Sequence, residues 1–382
     1  MLLFKALSIS LSIICVLSVS EIIIRQLPQE LLPHVHSRRH IFYSPELGLI
    51  INEPNSVQVV SSPRVYNTVI YNKYGFRGPD WPIPKNPGET RIAVLGDSYI
   101  EGREVAFDAL VTSVLEKRIG SGTIVMNFGL SGTGQADQIP LYRNFVRKFK
   151  PDILIHCVTV SNDFEENVQE LSPLQSKNFL KIEDGELVEI PPPKWVRCIC
   201  EEPWCAVTNF FSNLSLFKLV YRQLDAKTDL SWQWFSVPGN AYASERASSP
   251  DPLEAFDTPL YDNAKRVMTK ALLSLRAMCE KDGSHFLLVS SSGLWAFVAP
   301  EDPKFKPNSG YLAKRYTWLE EFAREHSLDY LDLNKALLKE SQNLGLRARD
   351  IHIPWDAHWT PLGHRLAAES IHRTLKSSHL VP

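Results

Sequence analysis

The sequence predicts a three-layer α/β/α domain built on a parallel sheet. Three observations carry that prediction. Short, continuously apolar runs recur between residues 91 and 382, as strands buried on both faces require. Stretches with apolar residues at helical spacing separate them, which is the alternation of βαβ units. Polar, turn-forming segments close several of the runs, at the edge where open parallel sheets hold their ligands.

The first run, IAVLGD (92–97), leads into Ser98, and FDALVTSVLEKRIG (107–120) then puts Leu110, Val111, Val114 and Leu115 on one helical side. IVMNFG (124–129) is the second strand. DQIPLYRNFVRKFK (137–150) predicts one helix with Ile139, Tyr142, Phe145, Val146 and Phe149 together; its Pro140 belongs in the first turn, where a missing N–H costs nothing. PDILIHCVTV (151–160) is the third strand. The alternation resumes with a long helix ending at Gly283, the strand HFLLVSS (285–291), a helix over 311–327 and the strand LDYLDLN (328–334). The last helix starts at Thr360 as N-cap with Pro361 at its first position.

Two regions fall outside this rhythm. Residues 26–90 are rich in Pro, Asn, Tyr and Val and predict short strands and turns ahead of the domain. Residues 170–260 are too long for a plain loop and predict an insertion with its own structure; Trp195, Trp204, Trp232, Trp234 and Phe235 form its small core or line a pocket.

The net charge of −2 and the absence of a long basic run give no argument for nucleic acid. Residues 6–24 hold one charged side chain, Glu21; as a helix they would span about 28 Å, the thickness of a bilayer core. They predict a single N-terminal membrane anchor over residues 1–25, with a cleaved signal peptide as the alternative, and a domain outside the cytoplasm. Cys157 and Cys279 read as small core residues. Cys198, Cys200 and Cys205 crowd into CICEEPWC with no histidine nearby, which favours a local disulfide over zinc. No metal and no cofactor is expected.

Four polar segments close on one sheet edge: Gly96-Asp97-Ser98, NFGLSGTG (127–134), Ser161-Asn162-Asp163 and DAHWTPLGH (356–364). In this order they resemble the blocks of the SGNH (GDSL) hydrolase family, from about Arg91 to Lys376 with the insertion left out. The lead-in YNTVIYNKYGFRGPDWP resembles that of anchored bacterial members, and the Asp-x-His-Trp form resembles the last block of polysaccharide O-acetyltransferases. The resemblance implies a flavodoxin-like sheet and a site in which Ser98 is the nucleophile, His358 the general base and Asp356 the carboxylate orienting it. It places oxyanion donors at the backbone N–H groups of Ser98 and Gly132 and at the Asn162 side chain. The chemistry agrees: a serine hydroxyl needs a base to become nucleophilic, and a carboxylate stabilises the imidazolium that results. Asp356 and His358, two apart in an extended segment, would face the same side.

The sequence departs from the family at Val160, where glycine is common, and at Trp355, where the aspartate commonly stands three residues before the histidine. Asp350 is the rival carboxylate, and His352 and His364 are spare histidines read as packing residues. Asp97 is read as a turn-holding residue, and Ser131 as a dispensable turn serine. The expected function is a serine esterase acting on a small-molecule or glycan acyl ester through an acyl-enzyme. The alternatives are an O-acetyltransferase acting on a glycan, and an inactive carbohydrate-binding or assembly module.

Overall fold

The computed structural model describes residues 12, 15–23, 41–62, 65–172, 177–193, 256–293, 309–353 and 357–382. The cysteine cluster and the aromatics of the insertion lie outside them, as does Asp356. Residues 15–23 are helical; among the described residues no helix is long and apolar enough to cross a membrane, and most of the expected anchor lies outside them.

The chain opens with two antiparallel hairpins, β1 (Ile41–Ser44) with β2 (Leu49–Asn52) and β3 (Val57–Ser62) with β4 (Val65–Ile70). The central sheet follows: β5 (Thr90–Gly96), β6 (Thr123–Gly129) and β7 (Ile153–Val158). A third hairpin, β8 (Phe179–Glu183) and β9 (Glu186–Ile190), opens the insertion. The sheet is completed by β10 (His285–Ser290) and β11 (Asp329–Asp332). Its order is β11-β10-β7-β5-β6 and every pairing is parallel. This is the doubly wound order in which the winding reverses between the first and third strands, opening a crevice at their carboxyl ends.

Side-chain alternation along each strand feeds two separate cores. Ile92, Val94, Ile155 and Val289 point to one face, covered by α2 (Val111–Ile119), α7 (Leu333–Leu344) and α9 (Pro361–Ser377). Ala93, Leu95, Leu154 and Leu288 point to the other, covered by α3 (Gln135–Asn144), α5 (Pro259–Lys281) and α6 (Ser309–Glu325). Three single-turn helices complete the set: α1 (Ser98–Glu101), α4 (Asp163–Asn167) and α8 (Ala348–Ile351). Leu47 of the hairpin turn and Leu49 and Ile51 of β2 join the second core beside Phe76 and Trp81, so the lead-in packs directly on the sheet domain.

Two elements differ from expectation. Helix α3 begins at Gln135, with Gly134 as N-cap, so Pro140 sits inside it rather than in its first turn. Proline removes one helical hydrogen bond there. The helix ends at Asn144, and a 3-10 turn over Val146–Phe149 completes the expected apolar side. Strand β11 stops at Asp332 instead of running to Asn334, because the Asp332 carboxylate accepts the Lys335 N–H at 3.0 Å and starts α7. Thr360 caps α9 as expected, accepting the Gly363 N–H at 3.1 Å, with Pro361 in the first position.

Helix α1 approaches the carboxyl end of β6 so closely that a Cβ on Gly129 would lie 2.2 Å from the Glu101 backbone nitrogen. Backbone cannot yield as a flexible side chain can, so Gly129→Ala should lower stability by about 3 kcal/mol or more. A fall in the urea midpoint with an unchanged m-value is the expected reading.

Candidate active site

Strand β5 ends at Gly96 and the chain turns at once into α1, so Ser98 opens a helix at the carboxyl edge of the sheet. The Ser98 Oγ lies 2.7 Å from His358 Nε2. The histidine comes from a loop closed on itself: Ile353 N–H donates to the His358 carbonyl at 2.8 Å, Ala357 N–H to the Ile353 carbonyl at 2.9 Å, and His352 bridges Trp359. Tyr99, next to Ser98, donates its hydroxyl to the Ala357 carbonyl at 2.9 Å. Its ring sits 5.1 Å from the imidazole. One residue of α1 therefore holds the loop that brings His358 to Ser98.

Ala357 has φ +73°. Ala357 is thus left-handed and not extended; Asp356 lies outside the described residues. Among the described residues, a carboxylate on the Nδ1 side of the imidazole is Glu104, whose Oε1 is 3.8 Å from His358 Nδ1. That distance suits an ion pair with an imidazolium but exceeds a hydrogen bond.

The rival residues are occupied elsewhere. Asp350 accepts the Arg347 backbone N–H at 2.8 Å and pairs with its guanidinium, and these bonds hold its pKa down. It therefore turns toward Arg347 and not toward the imidazole. His352 is buried with Nε2 3.2 Å from Ser292 Oγ, and burial pushes its pKa down to about 4. His364 accepts the Val111 N–H at 3.2 Å, with its pKa pushed down to about 3 by burial. Both are packing residues, as expected.

The second turn follows β6. Leu130 N–H donates to the Gly96 carbonyl at 3.1 Å, which lays this loop against the Ser98 turn. Gly132 has φ +73°, a conformation that favours glycine. Ser131, expected to be dispensable, donates both its N–H, at 2.7 Å, and its hydroxyl to Glu101 Oε2. The other oxygen of Glu101 accepts from Asn52 Nδ2 at 3.1 Å and from the Tyr71 hydroxyl at 2.7 Å. A buried carboxylate thus ties the lead-in, α1 and the Gly132 loop together.

The third turn follows β7. Asn162 Nδ2 donates to Glu166 Oε1 at 3.0 Å and to Asp97 Oδ2 at 3.3 Å. Val160 is held in place from the other side: Arg315 Nη1 donates to the Val160 and Ser161 carbonyls at 3.0 and 3.2 Å. Lys177 Nζ donates to the Gly132 carbonyl at 2.8 Å and lies 3.3 Å from both Glu166 Oε2 and Asp137 Oδ2. Sequence reasoning missed Glu101, Glu104, Glu166, Lys177 and Arg315; Glu101 and Glu104 stand within six residues of Ser98 and Glu166 four after Asn162, whereas Lys177 and Arg315 carry no such local signal.

Asp97 is a turn-holding residue, as read. Its Oδ1 accepts the Tyr99 N–H at 3.0 Å and the Thr159 hydroxyl at 2.9 Å. Burial, and then the charge of Glu166, push its pKa up to about 6. Among the described residues no group of His, Cys, Asp and Glu is arranged to hold a metal ion.

No family profile matches this chain, and no curated protein sequence does. Solved structures that overlap it include a putative lipolytic protein of the G-D-S-L family from Desulfitobacterium hafniense, at 13% identity, covering 75% of this chain and 100% of that one with a TM-score of 0.37. A catalytic mutant of the acetylxylan esterase Axe2 from Geobacillus stearothermophilus overlaps at 12% identity, 76% and 96% coverage and a TM-score of 0.40. The carbohydrate acetylesterase Est24 from Sinorhizobium meliloti does so at 9% identity, 76% and 100% coverage and a TM-score of 0.38. Overlaps of this size assign no function to the chain.

The raised pKa of Asp97 makes a signed prediction. The unfolded carboxyl titrates near 3.8 and the folded one near 6, so between those values the native state holds more protons than the unfolded one. Asp97's contribution to stability is therefore full below about pH 3.8 and is lost as pH rises to about 6. The stability of the parent minus that of Asp97→Asn should fall by roughly 2–3 kcal/mol across that window and stay level above it. Urea titrations of both proteins between pH 4 and 8 check this; a flat difference contradicts it.

Proposed function

We propose that the chain is a serine hydrolase of acyl esters, working through a Ser98 acyl-enzyme. The observation that carries this reading is the 2.7 Å approach of His358 Nε2 to Ser98 Oγ at the carboxyl edge of a parallel sheet. In the proposed reaction Ser98 Oγ attacks the ester carbonyl carbon while His358 takes the hydroxyl proton. The carbonyl oxygen becomes an oxyanion, which the backbone N–H groups of Ser98 and Gly132 and the Asn162 amide receive. Asn162 would turn one hydrogen from a carboxylate, the longer bond being that to Asp97, toward the new charge. Collapse breaks the ester C–O bond, and His358 gives its proton to the departing alcohol. Water then attacks the acyl-enzyme, losing a proton to His358; the bond from the acyl carbon to Ser98 Oγ breaks, His358 returns the proton to Ser98 Oγ, and the acid leaves. A sugar hydroxyl in place of that water would make the same machinery an acyltransferase.

Asp356 is proposed as the carboxylate that orients His358, with Glu104 adding charge on the Nδ1 side of the ring. The full chain is proposed to sit behind an N-terminal anchor, outside the cytoplasm.

Turnover of p-nitrophenyl acetate tests the core of this reading. Ser98→Ala should fall to background and His358→Ala should lose about 10³-fold or more in kcat, with folding intact by circular dichroism. Undiminished turnover in Ser98→Ala would sink the assignment. Asp356→Asn should cost about 10²- to 10⁴-fold. Glu104→Gln should cost about tenfold or less, in keeping with its longer contact. A larger loss from Glu104→Gln than from Asp356→Asn reverses the two roles. Deleting residues 1–25 should release the protein from the membrane fraction with turnover of soluble esters retained; sedimentation and assay of both forms decide it.

A further inference from the structure

Lys177 lies outside every motif block, at the start of the insertion, yet its ammonium reaches both sides of the oxyanion site. Its side chain is only 7% exposed. One bond goes to the Gly132 carbonyl at 2.8 Å. Another contact, at 3.3 Å, goes to Glu166 Oε2, and the second oxygen of that same carboxylate accepts from Asn162 at 3.0 Å. The third partner is Asp137 Oδ2 at 3.3 Å. Asp137 is itself fixed by the Asn178 side chain at 3.0 Å.

We infer that Lys177 is a positioning residue for acyl transfer, joining the Gly132 loop to the carboxylate that holds Asn162 and balancing the negative charge packed behind the oxyanion site. The inference rests on the serine-esterase reading above. Its physical basis has two parts. Gly132, at φ +73° and without a Cβ, has a freely rotating backbone unless its peptide is pinned; the Lys177 bond pins its carbonyl. Asp97, Asp137 and Glu166 are all buried within this cluster, and a developing oxyanion beside unbalanced carboxylates would be raised in energy. Burial pushes the Lys177 pKa down, but the charges of Glu166 and Asp137 more than offset this, so the group keeps its proton. An ammonium held there before reaction costs no reorganisation as charge develops.

A plain structural salt bridge would affect folding and leave the chemistry of a folded variant untouched. The two can be separated with Lys177→Met and with Lys177→Met/Asp137→Asn, the second relieving part of the burial cost of orphaned carboxylates. Each is compared with the parent and with Asp137→Asn, using the full chain. The readouts are the pre-steady-state acylation rate on p-nitrophenyl acetate, kcat and KM, the rate of labelling by a fluorophosphonate, and the thermal melt.

The expected result is a fall of about 10- to 100-fold in acylation rate and labelling, with KM within about threefold, in whichever variant retains the folded melt. Acylation within about threefold of Asp137→Asn in a folded double variant overturns the inference. So does failure of both variants to fold, since the residue is then a structural staple only. Absence of Ser98-dependent turnover in the parent overturns the esterase reading, and this inference with it.

Discussion

The site depends on the register of three strands. Gly96 of β5 pairs with Gly129 of β6, and Leu95 pairs with His156 of β7. Three parallel strands therefore end nearly level, and the turns that follow them meet at one edge. A slip of one residue would reverse the faces of every side chain in the slipped strand and pull its turn away. The glycines at the two ends are what allow the level finish, because α1 is stacked directly against the end of β6. The topological reversal between β5 and β7 then leaves open space above them, and the loop carrying His358 closes over it from the far end of the chain.

Bringing three turns to one buried edge creates a problem that the sheet cannot solve. Carbonyls in those turns have left the ladder and still need donors. The molecule answers with three buried cations, one for each turn. Arg77 from the lead-in serves α1, donating to the carbonyls of Glu101, Gly102 and Val105. Lys177 serves the Gly132 loop, and Arg315 of α6 serves the Asn162 turn. Burying a cation is costly unless its donors are matched. Arg315 is matched further by the Glu165 carboxylate and by the rings of Phe164, Phe256 and Tyr261, each within 5.5 Å of the guanidinium carbon. Rigidity in the turns is thus obtained from charges that approach from three different parts of the chain.

This arrangement explains what the sequence makes legible. Ser98 and His358 were readable because each sits in a short local pattern, strand-to-turn or turn-to-helix, whose residue types follow from its own backbone. The parallel sheet was readable for the same reason, through the two-faced alternation of Ile92 to Leu95. The supporting residues act across distance in the sequence: Arg77 works 24 residues away and Arg315 as far as 155. A lone Arg or Lys in a turn or an amphipathic helix looks like ordinary surface. The local geometry before His358 was misread because nothing in Asp-Ala-His announces a left-handed alanine. Leu333 and Asn334 read as strand but open α7, because Asp332 both ends β11 and caps the helix through Lys335.

The tie between the lead-in and Glu101 has a consequence for where the working unit begins. Measured by motif alone, the domain would start at Arg91. A fragment cut there would strip Glu101 of the Asn52 and Tyr71 donors and leave the α1 carbonyls without Arg77. It would also uncover Ile353, which packs with Val60, Val65, Val69 and Tyr71 beside the histidine loop. The two N-terminal hairpins are therefore a fixed rear wall of the Ser98 turn, and the smallest piece of chain able to hold Ser98 in place includes them.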